Sequence, residues 1–240
     1  MMLSRNHIAL FLFLFCSFTT DLFAQEPLNR NWDSEKIKGV RSLPYPSYKG
    51  FAYMSNTWDP GKIEFTDGEI RDSLYLRYSS YKDEVVYFNK ENSSQIVIDK
   101  DILKGFSFTE KNGMLHRFKK LPFDDYLKSD RFFEILSEGE TDLLVFRKVI
   151  TVSTTPYKDM EKGPLKNMEY VQAYQYYFYS PEKGYTPIRL TRTGLQAKFD
   201  KPAQKQIKKI LRKNRIKVTD EYNLVRAWKT IENLGFGIHY

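Results

Sequence analysis

The sequence predicts an α+β fold: an antiparallel β-meander of about ten strands, arranged as a curled sheet, a barrel or a sandwich, followed by a C-terminal helical pair. Three observations point to it. Between positions 50 and about 195, short runs rich in Tyr, Phe, Val and Ile alternate apolar and polar residues between Asp-Gly, Asn-Gly and Pro/Gly turn signals. No strand–helix–strand alternation of the kind a parallel sheet needs interrupts them. At about Phe199 the apolar period changes from that of a strand to that of a helix.

Residues 1–24 read as a secretory signal peptide. A short basic start at Arg5 precedes an apolar run over 8–18, and Leu22-Phe23-Ala24 offers a small residue at the cut before Gln25. The run is too short to span a bilayer as a helix, so no transmembrane span is expected after cleavage. A lipoprotein reading would acylate Cys16, but bulky Phe15 stands where a small residue is needed, and cleavage after Ala24 is the expectation. The working compartment is then the periplasm or the periplasmic face of an outer membrane, with extracellular release open. Loss of Cys16 with the signal leaves no thiol for disulfides, thiolate chemistry or Cys-ligated metals.

Residues 25–49 carry Pro27, Pro44 and Pro46 without sustained period and read as an N-terminal arm. The β domain is expected over 50–195. Leu74, Leu76 and Tyr78 alternate with Tyr75 and Arg77, and Asp67-Gly68 between 62–66 and 69–78 is a hairpin signal. Further strands are expected at 84–88, 95–98, 105–109, 114–119, 132–137, 142–152, 169–179 and 187–191. In the last segment, 196–240, Asp200 can cap a helix with Pro202 in its first turn, and Ala203, Ile207, Ile210 and Leu211 follow at helical spacing. Thr219 is expected to cap a second helix with Tyr222, Val225, Trp228 and Ile231 on its apolar stripe. Both helices are expected to pack on the sheet. Leu234, Phe236, Ile238 and Tyr240 return to period two and read as a closing edge strand. The charges on both faces of most strands argue against a lipid-facing barrel.

The run Leu76-Arg77-Tyr78-Ser79-Ser80-Tyr81-Lys82-Asp83-Glu84-Val85, with Leu103-Lys104-Gly105-Phe106 and Phe132-Phe133-Glu134-Ile135-Leu136 after it, resembles a family of uncharacterised exported proteins frequent in Bacteroidota. The likeness covers most of 60–215, including the basic helix. It implies export and the fold, and no activity.

The formal net charge of +8 is concentrated. Residues 200–217 hold eight basic residues and one acid, so the rest of the mature chain is nearly neutral. Lys205, Lys208, Lys209, Arg212, Lys213 and Arg215 are the anion-binding candidates, because like charges at i,i+4 strain an exposed helix unless a partner relieves them. The competing reading is a solvated face neutralised by Asp220, Glu221 or loops of the sheet. A second candidate is an aromatic surface on the strand at 169–179, with Tyr170, Tyr174 and Tyr176 on one face, suited to a sugar or a protein.

Catalytic constellations are scarce. His116 and His239 are isolated, no G-x-S-x-G, H-E-x-x-H or P-loop signature occurs, and no metal or cofactor is expected. Asp124-Asp125 and Glu134, Glu138 and Glu140 supply carboxylates of the kind a glycosidase pairs, though solvated turns explain them better. The expectation is a non-enzymatic cell-envelope binding or interaction protein. Its partner would be lipopolysaccharide, an acidic glycan or an acidic envelope protein rather than nucleic acid. The alternative is a carboxylate-dependent hydrolase of an envelope polysaccharide.

Overall fold

The structure, a computed structural model, describes residues 37–124, 129–154 and 168–238. Alternating runs become strands because one face can be buried while backbone groups pair across the ladder. β2 (Asp59–Phe65) and β3 (Ile70–Ser79) form the hairpin expected at Asp67-Gly68, with Gly68 in the left-handed region at φ 90°. β4 (Glu84–Asn89) and β5 (Ser94–Ile98) continue the meander, and β1 (Gly39–Arg41) pairs on the β5 edge. After a single 3-10 turn at Lys100–Ile102, β6 (Leu103–Thr109) crosses back beside β2. β7 (Leu115–Phe123), β8 (Ser129–Ser137) and β9 (Asp142–Phe146) follow as neighbours. β10 (Val149–Ser153) and β11 (Met168–Gln172) form a separate two-stranded ribbon. β12 (Gln175–Ser180) returns beside β9, and β13 (Gly184–Ile188) forms the far edge. Among the described residues every pairing between these strands is antiparallel, and the eleven-stranded sheet ends on β1 and β13 without closing.

The sheet curls instead. β3 and β8 are four strands apart in the order β3-β2-β6-β7-β8, about 19 Å across a flat sheet. Yet the Tyr78 and Phe132 ring centroids are 6.4 Å apart, and the Phe132 N–H donates to Asp83 Oδ1 at 3.3 Å. Ile63, Leu76, Tyr78, Tyr87, Phe108 and Phe132 fill the inside of the curl and are essentially inaccessible to solvent.

The other part of the sheet is covered by α1 (Arg192–Gln196), α2 (Lys201–Lys213) and α3 (Glu221–Glu232). Ile207 and Leu211 of α2 and Leu224, Trp228 and Ile231 of α3 join Leu143, Val145, Phe178 and Ile188 in one core, with Trp228 4.4 Å from Phe178 between ring centroids. At about 1.5–3 kcal/mol per buried Leu or Ile, the four aliphatic helix residues contribute about 6–12 kcal/mol before chain entropy is subtracted.

Several expectations are corrected. The strand expected at 142–152 is two, because the chain turns at Arg147-Lys148 to aim Arg147 inward. The strand at 169–179 is also two, interrupted at Ala173-Tyr174, where the Ala173 N–H donates to Lys148 O at 2.8 Å. The later part of the arm belongs to the fold: Ile37 is buried and β1 pairs with β5. Thr191 caps a short helix, α1, at the end of the run expected at 187–191, its Oγ1 accepting from the Gly194 N–H. Asp220, not Thr219, caps α3. Leu234, Phe236 and Ile238 make no strand, because Phe236 and Ile238 pack on the helical core. The signal segment with Cys16, and Asp125, His239 and Tyr240, lie outside the described residues.

Candidate functional site

The basic helix is built as its sequence requires. The Asp200 carboxylate caps α2 by accepting from the Ala203 N–H at 2.8 Å, and Pro202 sits in the first turn, where its missing donor is not needed. With Ala203, Ile207 and Leu211 buried on one face, 3.6 residues per turn put Lys205, Lys209 and Arg212 opposite, with Lys201, Lys208 and Lys213 beside them. The helix ends with Arg215 at φ 54°. The Ile216 N–H bonds to Leu211 O at 2.9 Å and the Arg215 N–H to Arg212 O at 3.1 Å, while Ile216 rejoins the core. All six anion-binding candidates (Lys205, Lys208, Lys209, Arg212, Lys213 and Arg215) are exposed.

None of the six makes an ion pair or a side-chain hydrogen bond with a described residue. The acids nearest in sequence are otherwise engaged. Asp200 caps α2; Asp220 caps α3, where the Asn223 N–H and amide hold its carboxyl below the usual range. Glu221 is bound to Arg147 at 2.7 and 2.8 Å. Neutralisation by Asp220 and Glu221 is therefore corrected. Residues 189–238 hold thirteen basic and four acidic residues, net +9, and the rest of the chain is at −1.

The structure brings His116 and Glu134 together, which the sequence left separate. His116 Nδ1 lies 2.6 Å from Glu134 Oε1, Arg147 Nε donates to Glu134 Oε2 at 2.5 Å, and Tyr176 donates to Glu221 Oε2 at 3.2 Å. His116, Glu134 and Arg147 are buried at the seam between the curl and the helix-covered core. Burial opposes ionisation of Glu134, but the His116 hydrogen bond and the Arg147 cation outweigh it and hold its pKa below the ordinary value. Burial opposes the Arg147 cation too, and Glu221 and Glu134 hold it firmly charged. Burial, then Glu221, pushes the Tyr176 phenol up to about 12. This chain of charges clamps the first residue of α3 to the sheet. Glu138 instead pairs at the surface with Arg117 and Lys119 at 2.6 and 2.8 Å, and Glu140 and Asp124 are exposed.

Carboxylates and rings lie apart. A cavity of about 780 Å³ is lined by Lys82, Asp83, Lys100, Asp101, Asp130 and Arg131 among others, with no aromatic ring. Asp83, at φ 59°, accepts there from Tyr78 Oη at 2.7 Å and from Lys100 Nζ at 2.5 Å; burial still raises its pKa. An aromatic groove of about 270 Å³ elsewhere has no carboxylate in its lining. The pair of carboxylates in an aromatic cleft that a polysaccharide hydrolase needs is not assembled at either place.

The aromatic-surface candidates are corrected as well. Tyr170 and Tyr176 are only 7% and 9% exposed, and they belong to different clusters because the strand breaks between them. Tyr174 is part-buried, its ring 4.8 Å from the Arg147 guanidinium. Tyr170 instead joins Tyr45, Tyr48, Tyr53 and Tyr81, rings that sequence reasoning missed. The density of Tyr and Phe at Tyr45, Tyr48, Phe51 and Tyr53 was the available signal. Among the described residues no group of three His, Cys, Asp or Glu could hold a metal, and no helix is long and apolar enough to cross a membrane. Comparison with protein-family models, curated proteins and solved structures returns no match.

Proposed function

We propose that this chain is an exported, non-enzymatic binding protein of the cell envelope that docks an anionic partner through the solvent face of α2. The observation that supports it is the set of six exposed cations without acidic partners among the described residues. Leaving like charges unrelieved at i,i+4 costs a few tenths of a kcal/mol per pair, which an anionic partner would return. The face is a convex helix about 20 Å long at 1.5 Å per residue, so it suits a partner with spaced charges better than a single ion. Lipopolysaccharide phosphates, an acidic glycan or an acidic envelope protein fit that description. The signal-like residues 1–24 support the compartment.

Titrating the purified protein against lipopolysaccharide and against polygalacturonate at low and high salt tests the reading. Binding to at least one is expected, weakened by salt and reduced to a weak remnant when Lys205, Lys208, Lys209 and Arg212 are replaced by Gln. No binding to either would refute docking of lipopolysaccharide or an acidic glycan, and binding indifferent to the four substitutions would refute docking through α2.

A further inference from the structure

Residues 42–58 carry no helix or strand apart from a single bridge at Lys49, yet the segment is tied down along its length. The Ser42 N–H donates to Gln95 O at 2.7 Å, the Tyr170 N–H to Lys49 O at 2.8 Å, and the Met54 N–H to Tyr78 O at 3.0 Å. The Tyr81 N–H donates to Ala52 O at 3.0 Å. Gly50, at φ 83°, permits the close approach, since a Cβ there would lie 2.4 Å from Tyr170 O. The segment therefore holds its rings in fixed positions at the surface, the preorganisation a binding site requires.

Those rings border the groove of about 270 Å³, with Tyr48, Phe51, Tyr53, Asn56, Arg77 and Gln95 in its lining. Tyr48 is backed by Tyr170 and Tyr53 by Tyr45, at 5.2 and 5.3 Å between centroids, while Phe51 stays 63% exposed. The Asn56 and Gln95 amides and the Tyr48 hydroxyl make no hydrogen bond with a described residue. Arg77 is spread between the Tyr53 and Trp58 rings at 4.8 and 4.6 Å, and its Nε is inaccessible to solvent and without a hydrogen-bond partner.

We infer that this groove binds a neutral saccharide, stacked on the exposed Phe51 ring and the half-buried Tyr48 and Tyr53 rings and hydrogen-bonded by its amides. A sugar presents an apolar C–H face that suits a ring and a rim of hydroxyls that each donate and accept. Amides and a phenol answer both roles. A proline-rich segment also stacks on aromatic grooves, but proline has no N–H, so the Asn56 and Gln95 carbonyls would lose water without a partner. An anionic ligand would find one cation, its charge spread over two rings.

The inference is independent of docking through α2. Calorimetric titration of the purified protein with cellotetraose, mannotetraose, maltotetraose and chitotetraose tests it, with decaproline as the counter-probe. At least one sugar is expected to bind, at least tenfold more weakly after Phe51→Ala or Gln95→Ala, and unchanged when the four α2 cations become Gln. Both groove residues are exposed, so an unchanged melting temperature will show that the fold is intact. The inference is overturned if none of the four sugars binds, if decaproline binds in their place, or if both groove variants bind as the parent does.

Discussion

Arg215 stands where a helix commonly ends in glycine. Its φ of 54° costs a side-chain-bearing residue about 1 kcal/mol, because Cβ crowds the following carbonyl. Arg215→Gly is expected to stabilise the fold by about that amount, read as a higher denaturant midpoint, while weakening polyanion binding. The buried clamp behaves oppositely. Glu134→Gln leaves Arg147 short of one charged partner and is expected to cost about 3 kcal/mol at neutral pH. The pH dependence follows from the direction of its shift. Glu134 has a folded pKa below its ordinary 4.5, so its contribution is complete above that value and fades as pH falls through the folded one. Asp83, with a folded pKa raised above 3.8, acts in the opposite sense, its ionisation weakening the fold as pH rises through that region. Thermal unfolding across the acid range should therefore show a shallower loss of stability in Glu134→Gln than in the parent. Curves that stay parallel would remove Glu134 from the acid response.

At the scale of elements, α2 trades stability for charge. Lys209→Glu places a carboxylate one turn from both Lys205 and Lys213, replacing two repulsive i,i+4 pairs by attractive ones. About 0.5–1 kcal/mol of stabilisation is expected in unfolding titrations, together with weaker binding of lipopolysaccharide. A variant that is both less stable and a tighter binder would contradict this account of α2. The helix was legible in the sequence because its cap, apolar stripe and charge are all local. Its lack of neutralisation was not, since that depends on Glu221 facing Arg147, which is 74 positions away. The two strand breaks depend on distant partners as well: the inward turn of Arg147 is set by Glu134 and Glu221, and the break at Ala173 by Lys148 O. Three-residue β1 takes its conformation from the β5 edge, so no local period announces it. The aromatic groove joins Tyr48, Arg77, Gln95 and Tyr170, which only the fold brings together.

At the scale of the molecule, charge and architecture divide along the same line. A curled, nearly neutral sheet carries an aromatic groove, and a helical layer carries the whole positive excess. Salt reaches the two differently, since exposed charges are screened over about 10 Å at 0.1 M while stacking on rings is hardly affected. Sugar binding in the groove should persist in salt that abolishes docking on α2. Docking through α2 is read most plainly from lipopolysaccharide affinity as a function of sodium chloride, for the parent and for the protein with Lys205, Lys208, Lys209 and Arg212 replaced by Gln. A steep fall with salt is expected for the parent and a weak, nearly salt-independent affinity for the variant; equal affinities with the same salt dependence would rule out docking through α2.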